Sequence, residues 1–134
     1  MHVPREERVA AWFAAAEADV RAAEIVASEI AQVACFHAQQ AAAKALKGLV
    51  THLSGDAPQV HAIARLFLAC GALGAMISDT ARESGEALDK YYIATRYPDA
   101  LDYVDATRAY KKRDATDAIE DARAVLAWAR SFAM

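Results

Sequence analysis

The chain is most constrained by residues 35–50, CFHAQQAAAKALKGLV, an Ala-rich run with no Pro and only Gly48 to weaken it. Ala, Leu, Gln and Lys are strong helix formers, so the whole stretch is predicted to be helical. At about 100° per residue, His37, Gln40, Lys44, Lys47 and Thr51 share one narrow face. Leu46, Leu49, Val50 and Leu53 gather on the far side, and small Ala side chains fill the flanks. Such a helix is expected to be packed closely by neighbours, with one polar, mostly basic seam left over. A seam of this kind can meet solvent, a second subunit or an anionic ligand.

Composition narrows the rest. A chain of 134 residues, 56% of them apolar, can bury one core without disulfides or a structural metal, so one domain over residues 1–134 is expected. The net charge of −3 gives no general attraction to nucleic acid, and any such contact has to be local. Cys35 and Cys70 lie in apolar helical contexts and read as buried free thiols. No Cys/His spacing suits zinc, and no metal or cofactor is expected. The N-terminus, MHVPREERVAAWF, is charged and then amphipathic, unlike a signal peptide. No uninterrupted apolar run reaches the roughly 18 residues of a membrane span. A soluble, cytoplasmic protein is the expectation.

Along the chain, Pro4 can open a first helix in which Val9, Phe13, Ala16, Val20, Ala23 and Ala27 form the buried stripe. Trp12 borders that stripe; Glu17, Asp19, Arg21 and Glu24 lie away from it. No Gly or Pro separates this helix from the next, and a tight turn at residues 28–30, with Ser28 as N-cap, is predicted to make an antiparallel pair. A loop at residues 54–58, a short apolar helix at 59–69 carrying His61 and Arg65, and a further helix at 77–90 follow. Gly71 and Gly74 loosen the stretch between those last two. Pro98 marks an extended or turning segment rich in Tyr, and Asp114 suits the N-cap of a last helix striped by Ala115, Ala118, Ile119, Ala122, Val125, Leu126, Ala129 and Phe132, with Trp128 at the edge of the stripe. The fold class is all-α: an up-and-down bundle of four to five helices.

The candidate binding residues each have two readings. Arg96, Tyr97 and Asp99, around Pro98, can present a guanidinium and a phenol to a nucleotide phosphate and base. The same turn can instead be fixed by Arg96 pairing with a local carboxylate and Tyr97 packing. His37, Gln40, Lys44 and Lys47 offer donors that can grip phosphates, or they form a solvated face or a dimer contact. His61 is read as a hydrogen-bonding residue at a helix start before a general base. Arg108, Lys111, Lys112 and Arg113, with Tyr110 among them, are either a small nucleic-acid patch or a solvated turn.

Several of these residues resemble one family. Phe36, Gln39-Gln40-Ala41 and Lys44-Ala45-Leu46-Lys47 resemble the second helix of HEPN domains, and His61 with Leu66 is similar to the short third helix. Leu88-Asp89-Lys90-Tyr91-Tyr92, followed by Arg96-Tyr97-Pro98-Asp99, resembles the Arg-Tyr-Pro-Asp segment of prokaryotic members. Ala115, Ala118 and Ala122 match the last helix. Two acids of the family pattern are missing: Ala43 stands for Glu, and Ala62 stands for the Asp after His61. The resemblance implies a homodimer that binds a nucleotide or RNA, paired with a minimal nucleotidyltransferase in a toxin–antitoxin-like system. Ribonuclease relatives carry an Arg followed four to six residues later by His, and no Arg of this chain precedes a His at that spacing. The reading therefore favours a non-catalytic module over a divergent ribonuclease or a purely structural dimerisation adaptor.

Overall fold

The computed structural model describes residues 2–94 and 105–133, and it is helical almost throughout. Among the described residues there are five long helices and two single-turn ones. In chain order they are α1 (Arg5–Val26), α2 (Ala31–Ser54), α3 (Ile63–Ala72), α4 (Asp79–Asp89), α5 (Tyr91–Ala94), α6 (Ala106–Ala109) and α7 (Lys112–Ala133). Helix α2 touches all six others and forms the axis of the bundle. Its Ala34, Ala38, Ala41, Ala42 and Ala45 are fully buried, and Ala115, Ala118, Ala122 and Ala129 line the buried stripe of α7. Small side chains on both helices let their axes approach closely, while Leu46, Leu49, Phe67 and Val125 fill the space around them.

The first two helices are separate and antiparallel. Asp19 lies across from His37 and Lys44, Phe13 across from Gly48, and Arg8 across from Gly55. The reversal falls where the residue pattern puts it, with the amides of Glu29 and Ile30 bonded back to the Val26 carbonyl. Ser28 is not the cap, however. The residue before α2 is Ile30, without a side-chain cap, because Ser28 stands two residues too early to reach the first free amides of α2. At the other end Gly55, at φ 97°, closes α2, and its amide bonds the Thr51 carbonyl.

Three other helix starts differ from the periodic pattern. Helix α3 begins at Ile63, not at residue 59, because Ala62 is extended and the Asp89 carboxylate accepts the amides of Ile63 (2.7 Å) and Ala64 (3.0 Å). Helix α4 begins at Asp79, where Ser78 Oγ accepts the Ala81 amide at 3.2 Å. Asp114 lies inside the first turn of α7 and reaches back to accept the Lys111 amide at 2.8 Å. It is thus the third-position half of a capping box, not the cap itself. Glycine governs one close approach: a Cβ on Gly85 of α4 would stand 2.4 Å from Phe67 and 2.7 Å from Ile63 of α3.

Candidate functional site

The seam of α2 faces α1. Asp19 does not lie on the solvent side of α1 as the stripe suggested; it is buried, and its two carboxylate oxygens divide between the seam's cations. His37 Nδ1 donates to Oδ1 at 2.8 Å, and Lys44 Nζ lies 2.7 Å from Oδ2. The contact fixes the tautomer of His37, since the carboxylate can only accept at that nitrogen. Gln40 donates to Gln39 Oε1 at 2.7 Å, and Thr51, fully buried, donates to the Lys47 carbonyl. His37 and Lys44 thus share one carboxylate, and Gln40 bonds to a neighbour on α2 itself.

Lys47 differs. It is 8% exposed, yet no carboxylate pairs with it among the described residues. Its ammonium sits 5.5 Å from the centre of the Trp12 ring and 3.5 Å from His61 Nδ1. Burial lowers its pKa from the usual lysine value, and the neighbouring charge of Lys44 lowers it further. Because the ammonium has only protons to give, His61 accepts at Nδ1 and carries its own proton on Nε2. The His61 ring stacks on Tyr92 at 5.6 Å and 11°, and the fully buried Gln39 donates to the His61 carbonyl at 3.1 Å. Helix α2 therefore fixes both the backbone and the ring of His61, just ahead of α3.

That ring forms one wall of a cleft of about 530 Å³ between the start of α3 and the end of α4. Arg65, Lys90 and Tyr92 line it as well, and Gln59 and Val60 complete its rim. The acid in its wall, Asp89, is committed to the amides of α3. The cleft therefore presents two cations and the His61–Tyr92 rings, with both oxygens of its one carboxylate already engaged by amides. Of the residues singled out by sequence, His61 and Arg65 line this space, and Lys47 meets His61 behind its wall. Asp89, Lys90 and Tyr92 are legible in sequence only as part of a family-like string, without a role of their own.

Arg96, Tyr97 and Asp99, and the turn around Pro98, lie outside the described residues. Arg108, Lys111, Lys112 and Arg113 are exposed around the start of α7, with Tyr110 packed edge-on to Tyr91 at 5.7 Å. Cys35 and Cys70 are free and buried, and desolvation pushes their thiols up to about 12 and about 11. Both are poor nucleophiles. Among the described residues no three His, Cys, Asp or Glu side chains are grouped to hold a metal, and no helix is long and apolar enough to cross a membrane.

An Ala-packed all-α bundle whose central helix carries a buried cation to the edge of a basic cleft defines the class. The comparisons give the family. The HEPN domain profile matches residues 9–132. The crystal structure of TT1696 from Thermus thermophilus is similar at 35% identity and a TM-score of 0.84, over 93% of this chain and 98% of that one. The structure of ST0689, described as an archaeal HEPN homologue, is similar at 30% identity and a TM-score of 0.76, over 95% and 98% of the two chains. No curated protein matches the chain. The chain belongs to the HEPN domain family.

Proposed function

We propose that this chain is a non-catalytic HEPN module that binds the phosphate of a nucleotide or of RNA in the cleft at the start of α3. Lys47 carries the reading. A buried ammonium costs free energy unless an anion accompanies it, and this one stands behind a ring that opens on a basic cleft. A phosphate seated against His61, Arg65 and Lys90 supplies the missing negative charge, and the His61–Tyr92 stack offers a flat surface to a base. His37, Gln40 and Lys44 support the seam from which Lys47 projects. On sequence grounds Arg96, Tyr97 and Asp99 stay candidates for binding, Arg96 as a bidentate phosphate ligand.

The absent Arg–His ribonuclease pair supports a binding role over cleavage. Family likeness supports a homodimer and a minimal nucleotidyltransferase partner in a toxin–antitoxin-like setting. Exposed Leu68 and Met76, 69% and 83% accessible, give apolar surface for such protein contacts. A single-chain mass in solution would count against the dimer.

Thermal melts with AMP, ATP and GTP test the binding reading. A ligand at one hundred times its Kd stabilises the fold by about 2.7 kcal/mol, which a melt resolves as several degrees. The shift is expected to vanish in His61→Ala and Arg65→Ala. No shift with millimolar nucleotide or with RNA would sink the proposal, and RNA cleavage that disappears in His61→Ala would replace it with the ribonuclease reading.

A further inference from the structure

Helix α1 packs on α2 and α7. Val9, Phe13, Ala16, Val20 and Ala23 enter the core, and the flanks are tied down on both sides. Toward α7, Glu17 pairs with Arg130 and Glu24 with Arg123. Toward α2, Trp12 lies against Lys47, and Arg8 donates to the Gly55 carbonyl. The remaining side carries Ala11, Ala14, Ala18 and Ile25, all exposed, with Ile25 at 64%. These positions recur at three, four and seven residues, so they form one line about four turns long. A solvent-facing helix side ordinarily mixes charge along its length. This one carries charge only at Glu7 and Arg21, and neither forms an ion pair among the described residues.

The spacing of those two charges is symmetric. Glu7 and Arg21 each stand seven residues from Ala14, two turns away in opposite directions. Val3, 39% exposed, and Ile25 each stand eleven residues from it. A two-fold axis beside Ala14 that sets two copies of α1 antiparallel therefore brings acid onto base twice and Val3 onto Ile25 twice. At the centre Ala14 meets its own copy and Ala11 comes near Ala18, with side chains small enough for helix axes about 8 Å apart. A parallel pair would instead set Glu7 on Glu7 and Arg21 on Arg21. We infer that this face takes a second copy of the chain, docked antiparallel through α1 about Ala14. The inference rests on the homodimer proposed above and gives it a face and a direction. Such a contact uses the same patch on both copies, so it closes at two. Leu68 and Met76, on α3 and in the loop after it, are not part of it.

Light scattering of the whole chain, together with cysteine cross-linking, tests it. The parent is expected at the mass of two chains. Ala14→Glu sets two carboxylates against each other at the axis and is expected to give the mass of one chain. Its helicity should stay unchanged, because Glu is a good helix former at an exposed position. Glu7→Arg and Arg21→Glu each turn two attractions into two repulsions, and each is expected to weaken dimerisation about tenfold. The double variant Glu7→Arg/Arg21→Glu is expected to restore it. Ala14→Cys is expected to cross-link to its own copy on mild oxidation and Leu68→Cys is not, with the native Cys35 and Cys70 both buried. A two-chain mass that survives Ala14→Glu and both charge reversals overturns the face and leaves the homodimer standing. Cross-linking through Leu68→Cys in place of Ala14→Cys does the same. A parent at the mass of one chain overturns both this inference and the homodimer on which it rests.

Discussion

Asp89 accepts the first two amide protons of α3 from the far end of α4, 26 and 25 residues away in sequence. The cap residue itself, Ala62, has no side-chain acceptor to offer. Asp89→Ala is therefore expected to lower stability by about 0.5–2 kcal/mol, the usual range for a lost N-cap. Asp89→Asn should recover part of that, because an amide oxygen still accepts. Urea unfolding of the three proteins checks both, and equal midpoints for Asp89→Ala and the parent would show that the capping adds nothing. Such residues are the least legible in sequence. Asp19 stands on the polar side of the α1 stripe, and only the approach of α2 turns that position inward. A carboxylate that is one helix's solvent face becomes buried when the facing helix supplies its cations. Lys47 is legible as part of a basic seam, but not as the member lacking a carboxylate, since that depends on where Asp19 lands.

At the scale of elements, periodicity places the long helices well, because α2, α4 and α7 owe their positions to stripes of buried residues. Their starts move by a few residues wherever a side chain distant in sequence, or one inside the first turn, takes the free amides. Glycines mislead in a different way. Gly71 and Gly74 read as breakers, and Gly74 does take φ 100° at the end of α3. Gly85, in the middle of α4, matters more for packing, since its missing Cβ is where Phe67 and Ile63 enter. Gly85→Ala gains helix propensity but forces Phe67, fully buried against Trp128, to move. The net expectation is a loss of about 1–3 kcal/mol, as for an overpacked core. Calorimetry would show this as a lower Tm, and an unchanged or higher Tm would mean that Phe67 can give way.

For the molecule as a whole, the buried ionisable groups set an alkaline limit. Folding raises the thiols of Cys35 and Cys70 above their usual 9.0, and burial also raises the Tyr91 phenol. Between the unfolded and folded values, the native state holds protons that the unfolded chain has released. Stability contributed by these groups is therefore full below about pH 9 and declines as pH rises toward 11 and 12. Lys47 has the opposite sign, because its lowered pKa lets the native state shed a proton first and gain stability as pH rises. The Tyr110 phenol is raised by burial as well, so four groups oppose one, and the urea midpoint is expected to fall between pH 8 and pH 10. Cys35→Ala should flatten part of that fall, and a midpoint that rises with pH would reverse the assignment. The bundle is readable from stripes of one helix at a time. The cleft is not, because its walls come from residues far apart in the chain, 61, 65, 90 and 92, and no local pattern joins them.

The exchange at the start of α3 bears on how relatives are compared. The family pattern that the chain resembles has an Asp where Ala62 stands, and Asp89 reads there as an ordinary helix-end carboxylate. In space the two are one station, occupied from the other side of the groove. Relatives with Asp at the first place are expected to vary at the second, which an alignment of the family would check. Pairs of columns, not single ones, record whether that station is filled.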